Sequence, residues 1–367
     1  MTNAPAAHRP THATDPPIQL DAIAALSDPI GVLSVYADAD PALAAGPRPA
    51  WQAPVRAGLR QLVKEARRTR PRVESMAVRA RIDELEPELE TLLDPRLGRR
   101  GRALFAAVNG GEIHRAKLPV PFAPLVTLDR HARVLPLLAA AQDGRPAGAA
   151  TLSWDRLEAA EWQFDLLNPL ETVELAAAQP RGWRPGTNPA VPQPFPERDR
   201  FESAAGARIL ALLRDAGERL GKQADARGWD VLVVDGDPRL VEVLSDALRT
   251  DSCRLVRSPH SIAGQQHAVA AERVGSTVRT LRAERIAELL RKLGESSAST
   301  RDPLVLERSF DEGRVEHLLI TMPSEPSQAR SSESLLRRAL DTGAEVTVIT
   351  PEAANLGPAG AAALLRW

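Results

Sequence analysis

Apolar residues fall into two rhythms along this chain. Trp51, Val55, Leu59, Leu62 and Val63 recur at i, i+4, i+8, i+11 and i+12, which aligns one face of an amphipathic helix. A second such stretch over residues 74–92 predicts another helix. Shorter, continuous apolar runs predict buried strands: GVLSVYADADP at 31–41, which leaves into an acidic turn, and RALFAAVNGGE, with a hairpin turn at Gly110 and Gly111. From Arg133 the segment VLPLLAAAQDGRPAGAATLS reads as a short helix, a turn and a strand, followed by LEAAEW and VELAAA as meander strands. A long helix over 201–227, the strand DVLVVDGD and a helix over 238–249 come next, then a further helix over 263–293. The last block alternates VEHLLIT, a helix near 331–341, EVTVIT and the closing GPAGAAALLRW.

These elements predict a mixed α/β fold in three domains: an N-terminal domain over 18–132, a middle domain over 133–260, and a C-terminal three-layer α/β domain over 261–367 with its linking helix. Residues 1–17 have no periodic apolar face and read as a disordered tail. Residues 46–49 form a proline-rich crossing. Residues 179–200, QPRGWRPGTNPAVPQPFPERDR, hold six prolines and no hydrophobic period, and a loop of this length inside a compact domain points to function or disorder.

Composition narrows the classes. The 367 residues carry 47 Lys+Arg against 48 Asp+Glu, a net charge of −1, so a uniformly basic coat for nucleic acid is excluded and any basic surface is local. All but four of the basic residues are arginine, as GC-rich coding produces, and arginine grips phosphate with two hydrogen bonds and stacks on bases. The lone cysteine, Cys253, excludes an internal disulfide and a thiolate zinc site. With no secretory apolar segment and no run of about 18 apolar residues, a cytoplasmic protein is expected, with no membrane partner.

Chemistry is sparse. GERLGKQ at 217–223 has the wrong spacing and the wrong last residue for a phosphate loop, and it lies within a helix, where it reads as helix surface. VVDGDPR at 233–239 ends a strand where ligands bind in α/β sheets, yet Asp237 and Pro238 are also an ideal helix cap and first helical residue. His260 and His267 have no third ligand nearby, no metal or other cofactor is implied, and Cys253 has no adjacent base. A basic row is more informative: Arg56, Arg60, Lys64 and Arg67 repeat at i, i+4, i+8 and i+11, with Arg68, Arg70 and Arg72 continuing. Such a row can follow a phosphate backbone, or it is a solvated helix face. In the proline-rich loop Arg181, Gly182, Trp183 and Arg184 set two guanidiniums around an indole, which suits phosphate contact with base stacking or an anchor for the loop.

Taken in order, GVLSVYADADP, GRALFAAVNGGE, HARVLPLLAAAQDGRPAGAATLSWDRLEAAEW, DVLVVDGDPR and GRVEHLLIT with GAEVTVIT and GAAALLRW resemble the bacterial relatives of archaeal and eukaryotic class-one peptide release factors, over about residues 18–367. The resemblance implies a ribosome partner through rRNA, with tRNA and a translation GTPase as candidate companions and no DNA. It also implies a C-terminal domain like a ribosomal protein. Hydrolytic members, and related peptidyl-tRNA hydrolases of stalled ribosomes, carry a Gly-Gly-Gln loop before the long helix of the middle domain. The corresponding slot here, 179–200, has no such tripeptide, and Gly264-Gln265-Gln266 comes one supersecondary unit too late. The Asn-Ile-Lys-Ser signature of stop-codon readers is absent as well. Members without the tripeptide resemble Balon-like ribosome hibernation factors, which occupy the A site in stress without hydrolysis, and that implies no catalytic residue here. Two alternatives stay open: a peptidyl-tRNA hydrolase or peptide release factor acting on stalled ribosomes, with Gln179 or Gln193 directing water, and a stress-related protein-interaction scaffold without RNA contact.

Overall fold

The computed structural model describes residues 20–40, 49–175, 196–250, 252–323, 326–350 and 355–367, with backbone only at 196–205 and 326–327. The tail 1–17, residues 46–48 of the proline-rich crossing and residues 179–195 of the proline-rich loop lie outside the described residues. The fold is mixed α/β. Two compact units divide the chain: residues 1–140 together with 301–367, and residues 141–300.

In the first unit the helical period at Trp51 is realised. The elements are α1 (Leu20–Ala24), β1 (Ser27–Asp38), α2 (Gln52–Thr69), α3 (Arg72–Glu84), α4 (Glu86–Leu92), β2 (Gly101–Ala107), β3 (Ile113–Leu118), β4 (Leu125–His131) and α5 (Leu135–Asp143). Four strands form an antiparallel sheet in the order β3-β2-β1-β4. Alternation along β1 sends Leu33, Val35 and Ala37 into a core with Val55, Leu59 and Ala66 of α2 and Val78, Ile82, Leu85 and Leu89 of the following helices. Burying a Val or Leu side chain contributes about 1.5–3 kcal/mol against about 0–1 kcal/mol for an exposed ion pair, so the apolar face decides which side of α2 turns inward. Gly58 permits the approach, because a Cβ there would lie 2.8 Å from Val126 on β4. The helix expected over 74–92 is two helices. Pro87 has no N–H and its ring crowds the carbonyl one turn back, so the ladder stops at Leu85 and restarts.

Arg102, 1% exposed, fastens the chain between α4 and β2. Its guanidinium donates to the carbonyls of Leu92 (2.8 Å), Asp94 (2.6 Å), Arg99 (3.1 Å) and Leu97, and it lies over the Trp51 ring at 5.6 Å. A buried cation is tolerated when its donors find acceptors, and these carbonyls take four of its five N–H groups.

The second unit comprises β5 (Ala147–Leu152), β6 (Arg156–Gln163), β7 (Leu166–Glu174), α6 (Pro196–Arg227), β8 (Val231–Gly236), α7 (Pro238–Ala247), β9 (Arg254–Arg257), α8 (His267–Glu295) and β10 (Ser299–Thr300). Five of these strands order as β7-β6-β5-β8-β9, with an antiparallel meander on one side and parallel β5/β8 and β8/β9 pairs on the other. Leu213, Leu220, Leu240 and Leu244 of α6 and α7 cover one face, and Ala270, Val274 and Val278 of α8 cover the other. The third meander strand starts earlier than the VELAAA segment in which it was expected and shares Val173 and Glu174 with it. Pro169 hid it, and it is accommodated because β7 is an edge strand and the register shifts at the Ala160–Pro169 pair.

The GERLGKQ segment is a correction. Its glycines are buried rather than on a helix surface, because a Cβ on Gly217 would lie 2.7 Å from the Ala247 Cβ and one on Gly221 would lie 3.1 Å from the Arg249 carbonyl oxygen. Small residues at i and i+4 let α6 and the chain around α7 approach closely.

The remaining elements are α9 (Pro303–Asp311), β11 (Val315–Thr321), α10 (Pro326–Thr342), β12 (Glu345–Ile349) and β13 (Ala361–Leu365). Their strands lie in the order β13-β11-β12, with β11/β12 parallel and β11/β13 antiparallel. Helix α9 escaped the hydrophobic pattern, although Asp302 accepts from Leu304 N (2.8 Å) and Val305 N (3.2 Å) and Pro303 opens the first turn. Among the described residues no helix is long and apolar enough to cross a membrane.

Two glycines of α6 give opposite expected outcomes. Gly217→Ala forces α6 against α7 and should destabilise by about 1–3 kcal/mol. Gly206→Ala, with nothing within 4 Å of the added carbon, should stabilise by up to about 1 kcal/mol through helix propensity. Urea denaturation of both variants checks the contrast, and equal effects would contradict the packing assigned to Gly217.

Candidate nucleic-acid interface

Helix α2 presents its apolar positions to the sheet, so the sequence spacing places the basic row on the outer side. At 3.6 residues per turn Arg56, Arg60, Lys64 and Arg67 fall within an arc of roughly 80° and span about 17 Å along the axis. The row is not uniform. At its start Arg56 Nη1 is 3.1 Å from Glu86 Oε1, a half-exposed pair. At its end Arg70 faces Glu74 at 3.7 Å and donates to the Ile30 carbonyl. Between these ends Arg60, Lys64, Arg67 and Arg68 are exposed, and none of the four has an ion pair among the described residues. Arg67 and Arg68 also occupy the last turn of α2, where cations complement the helix dipole. Further on, Arg79 is drawn to Asp83 at 3.6 Å. The sequence row therefore resolves into a paired Arg56, four cations without an ion pair among the described residues, a paired Arg70, and an exposed Arg72 at the start of α3 that likewise has none.

The second predicted cluster, Arg181, Gly182, Trp183 and Arg184, lies outside the described residues, as do Gln179 and Gln193.

The strand-end segment VVDGDPR belongs to the protein's own framework. Asp237 caps α7 by accepting from Arg239 N at 2.9 Å, and its other oxygen accepts from Trp154 Nε1 at 3.0 Å. Asp235 Oδ2 accepts from Ser261 Oγ (3.0 Å), Ile262 N (2.6 Å) and Ala263 N (3.0 Å). Burial pushes the Asp235 carboxyl up, but these donors outweigh it and hold the group below the usual value. The capping role expected for Asp237 is observed, and the residues after β9 fold over the end of β8.

Gly264-Gln265-Gln266 forms the exposed turn that opens α8, with Gly264 at φ +70°. His260 and His267 are exposed, and no group of three potential metal ligands exists among the described residues. Cys253 is buried, and burial, reinforced by Asp230 and Asp225, pushes its thiol up to about 12. It stays a thiol rather than the nucleophilic thiolate.

Sequence reasoning missed one polar constellation. His317, buried on β11, faces Glu345 through Nδ1 at 3.3 Å and meets the Thr347 hydroxyl through Nε2 at 2.8 Å. Acid, imidazole and hydroxyl stand in the order of a nucleophilic triad. With the imidazole 5% exposed and both ring nitrogens engaged across the β11/β12 pair, the arrangement ties two strands together. Only the parallel register that sets His317 beside Glu345 reveals it.

Residues 133–277 match the family described as Bacterial archaeo-eukaryotic release factor family 10. That stretch runs from the start of α5 through the five-stranded sheet, α6 and α7 into α8. No curated protein matches the chain. Among solved structures, the archaeal translation termination factor aRF1 is similar at 17% identity, covering 95% of this chain and 96% of its own with a TM-score of 0.27. A structure described as ribosome-bound archaeal Pelota and ABCE1 is similar at 14% identity, covering 73% and 77%, with a TM-score of 0.41. A Saccharomyces cerevisiae termination-like factor involved in RNA quality control is similar at 11% identity, covering 73% and 79%, with a TM-score of 0.40. Through residues 133–277 the chain is similar to the release-factor-like family.

Proposed function

We propose that this protein is a ribosome-binding translation factor whose helix α2 meets RNA phosphates, and that it occupies the A site as a non-catalytic hibernation or stress factor of the cytoplasm. The observation that carries the reading is the row of four exposed cations, Arg60, Lys64, Arg67 and Arg68, without an ion pair among the described residues, lying between the paired Arg56 and Arg70. Free cations release counterions on meeting phosphate, whereas a guanidinium committed to a carboxylate must first break that pair. The release-factor-like stretch 133–277 supports a ribosomal partner, and the slot 179–200 without Gly-Gly-Gln supports the absence of hydrolysis. In this reading the domains 18–132, 133–260 and 261–367 act together, Arg181 to Arg184 form a second RNA contact, and a translation GTPase is a candidate companion. No cofactor is required.

Sedimentation of the protein with empty ribosomes over a salt series tests the interface. Replacing Arg60, Lys64, Arg67 and Arg68 together by Ala should flatten the slope of log K against log salt by about 3, from about 0.7–0.9 per lost phosphate contact. An unchanged slope in a folded variant would return α2 to a solvated face. Trp183→Ala should weaken binding about five- to a hundredfold, the equivalent of roughly 1–3 kcal/mol of base stacking.

Catalysis is read separately. The protein should release no peptide from stalled ribosome complexes above background. Release that disappears in Gln179→Ala or Gln193→Ala would instead establish a peptidyl-tRNA hydrolase.

A further inference from the structure

Helix α10 packs on β11 and β12, with Leu336 and Ala339 fully buried. Three charged side chains of the same helix reach residues far earlier in the chain. Glu333, 9% exposed, accepts from Val134 N at 2.7 Å and from Leu135 N at 3.3 Å. Arg337 donates to the carbonyls of Ala24 and, at 3.5 Å, Ala132. Arg330 faces Asp129 at 3.6 Å.

The place where Glu333 binds gives it consequence. Helix α5 begins at Leu135 and is preceded by Val134, whose side chain has no oxygen with which to cap the free N–H groups of the first turn. The missing cap comes instead from a carboxylate 199 residues away. The start of α5 and the docking of α10 are therefore one event.

The surroundings of Glu333 are themselves charged. Arg133 and Arg337 attract it, while Arg133 is also held by Asp129 at 2.7 Å. The buried Tyr36 hydroxyl donates to the Arg133 carbonyl at 2.6 Å, and burial, followed by the nearby Glu333 carboxylate, pushes that phenol up. His131 is held below its ordinary value by burial, Arg337 and Arg130, with Asp341 opposing.

We propose that residues 301–367 dock on residues 20–140 through a proton-linked joint centred on Glu333, and that opening this joint uncovers the start of α5. Burial pushes the Glu333 carboxyl up to about 7, against the two amide hydrogen bonds and the two arginines. A docked state with a raised carboxyl pKa holds the proton more tightly than the open state. The Glu333 contribution is therefore full below the ordinary 4.5, declines as pH rises to about 7 and is level above. His131 acts in the opposite sense, because its depressed value favours docking as pH rises.

Hydrogen exchange of the Val134 and Leu135 amides reads the joint. Expressed as protection factors, it is freed of the intrinsic pH dependence of exchange. Two replacements that do not titrate, Glu333→Gln and Glu333→Met, serve as references, so the comparison stands if either folds, and the shared His131 effect cancels. With 4.5 open and about 7 docked, wild-type protection relative to a reference should fall about thirtyfold from about pH 5.5 to about pH 8.5. The amides of Val233 and Val234 on β8 should keep their protection in all proteins. A ratio that stays flat with pH overturns the proposal, as does exchange at Val134 and Leu135 that proceeds only at the rate of the β8 amides.

Discussion

A guanidinium carries five N–H donors and stays charged at every physiological pH, so each arginine drawn into a fold must be surrounded by acceptors. In a chain whose cations are nearly all arginine, this one requirement sorts the basic residues. Arg102 takes four carbonyls at the end of α4. Arg81 takes the carbonyls of Ala107 (3.0 Å) and Gly111 (3.5 Å) beneath the β2/β3 hairpin. In the other unit Arg282 pairs with Asp230 at 2.8 Å, donates to the Arg145 carbonyl at 2.9 Å and lies 6.0 Å from the Trp162 ring. These arginines are structural because their donors are spent within the protein. Arg60, Lys64, Arg67 and Arg68 have no such commitment among the described residues, and all four stand on one helix.

The same principle limits chemistry elsewhere. At the end of β8, where an α/β sheet commonly receives a ligand, Asp235 and Asp237 are consumed by the turn 261–263, the first turn of α7 and Trp154. His317 has both ring nitrogens engaged, and the Cys253 thiol is held protonated in the core. Polar groups that look reactive in a sequence are, in this fold, mostly closing helices and strands. Glu333 belongs to that set, with the difference that the helix it closes is distant in sequence and its own proton sets how firmly it does so.

Much of this was legible in the sequence, where structure follows from local periodicity. The face of α2, the hairpin at Gly110 and Gly111, the strand DVLVVDGD and the cap at Asp237 all come from spacing over a few residues. Errors arose where a single residue overrode the pattern. Pro87 divided one expected helix into two, and Pro169 concealed an edge strand made possible by a bulge. Gly217 and Gly221 looked like helix surface because only the approach of α7 makes their missing side chains matter. The basic row was legible as a row. Its division into paired and free cations was not, because Glu86 reaches Arg56 only after the helix breaks at Leu85, and Glu333, Arg102 and His317 depend on contacts that no local pattern encodes.

The central claim is that the free cations of α2 form the RNA-facing surface, and a cryo-electron microscopy map of the protein on empty ribosomes examines it most directly. The account expects the α2 face bearing Arg60, Lys64 and Arg67 to lie against rRNA or tRNA backbone, with guanidinium or ammonium groups within about 4 Å of phosphate oxygens. A map that places the protein on the ribosome with this face of α2 open to solvent would contradict it.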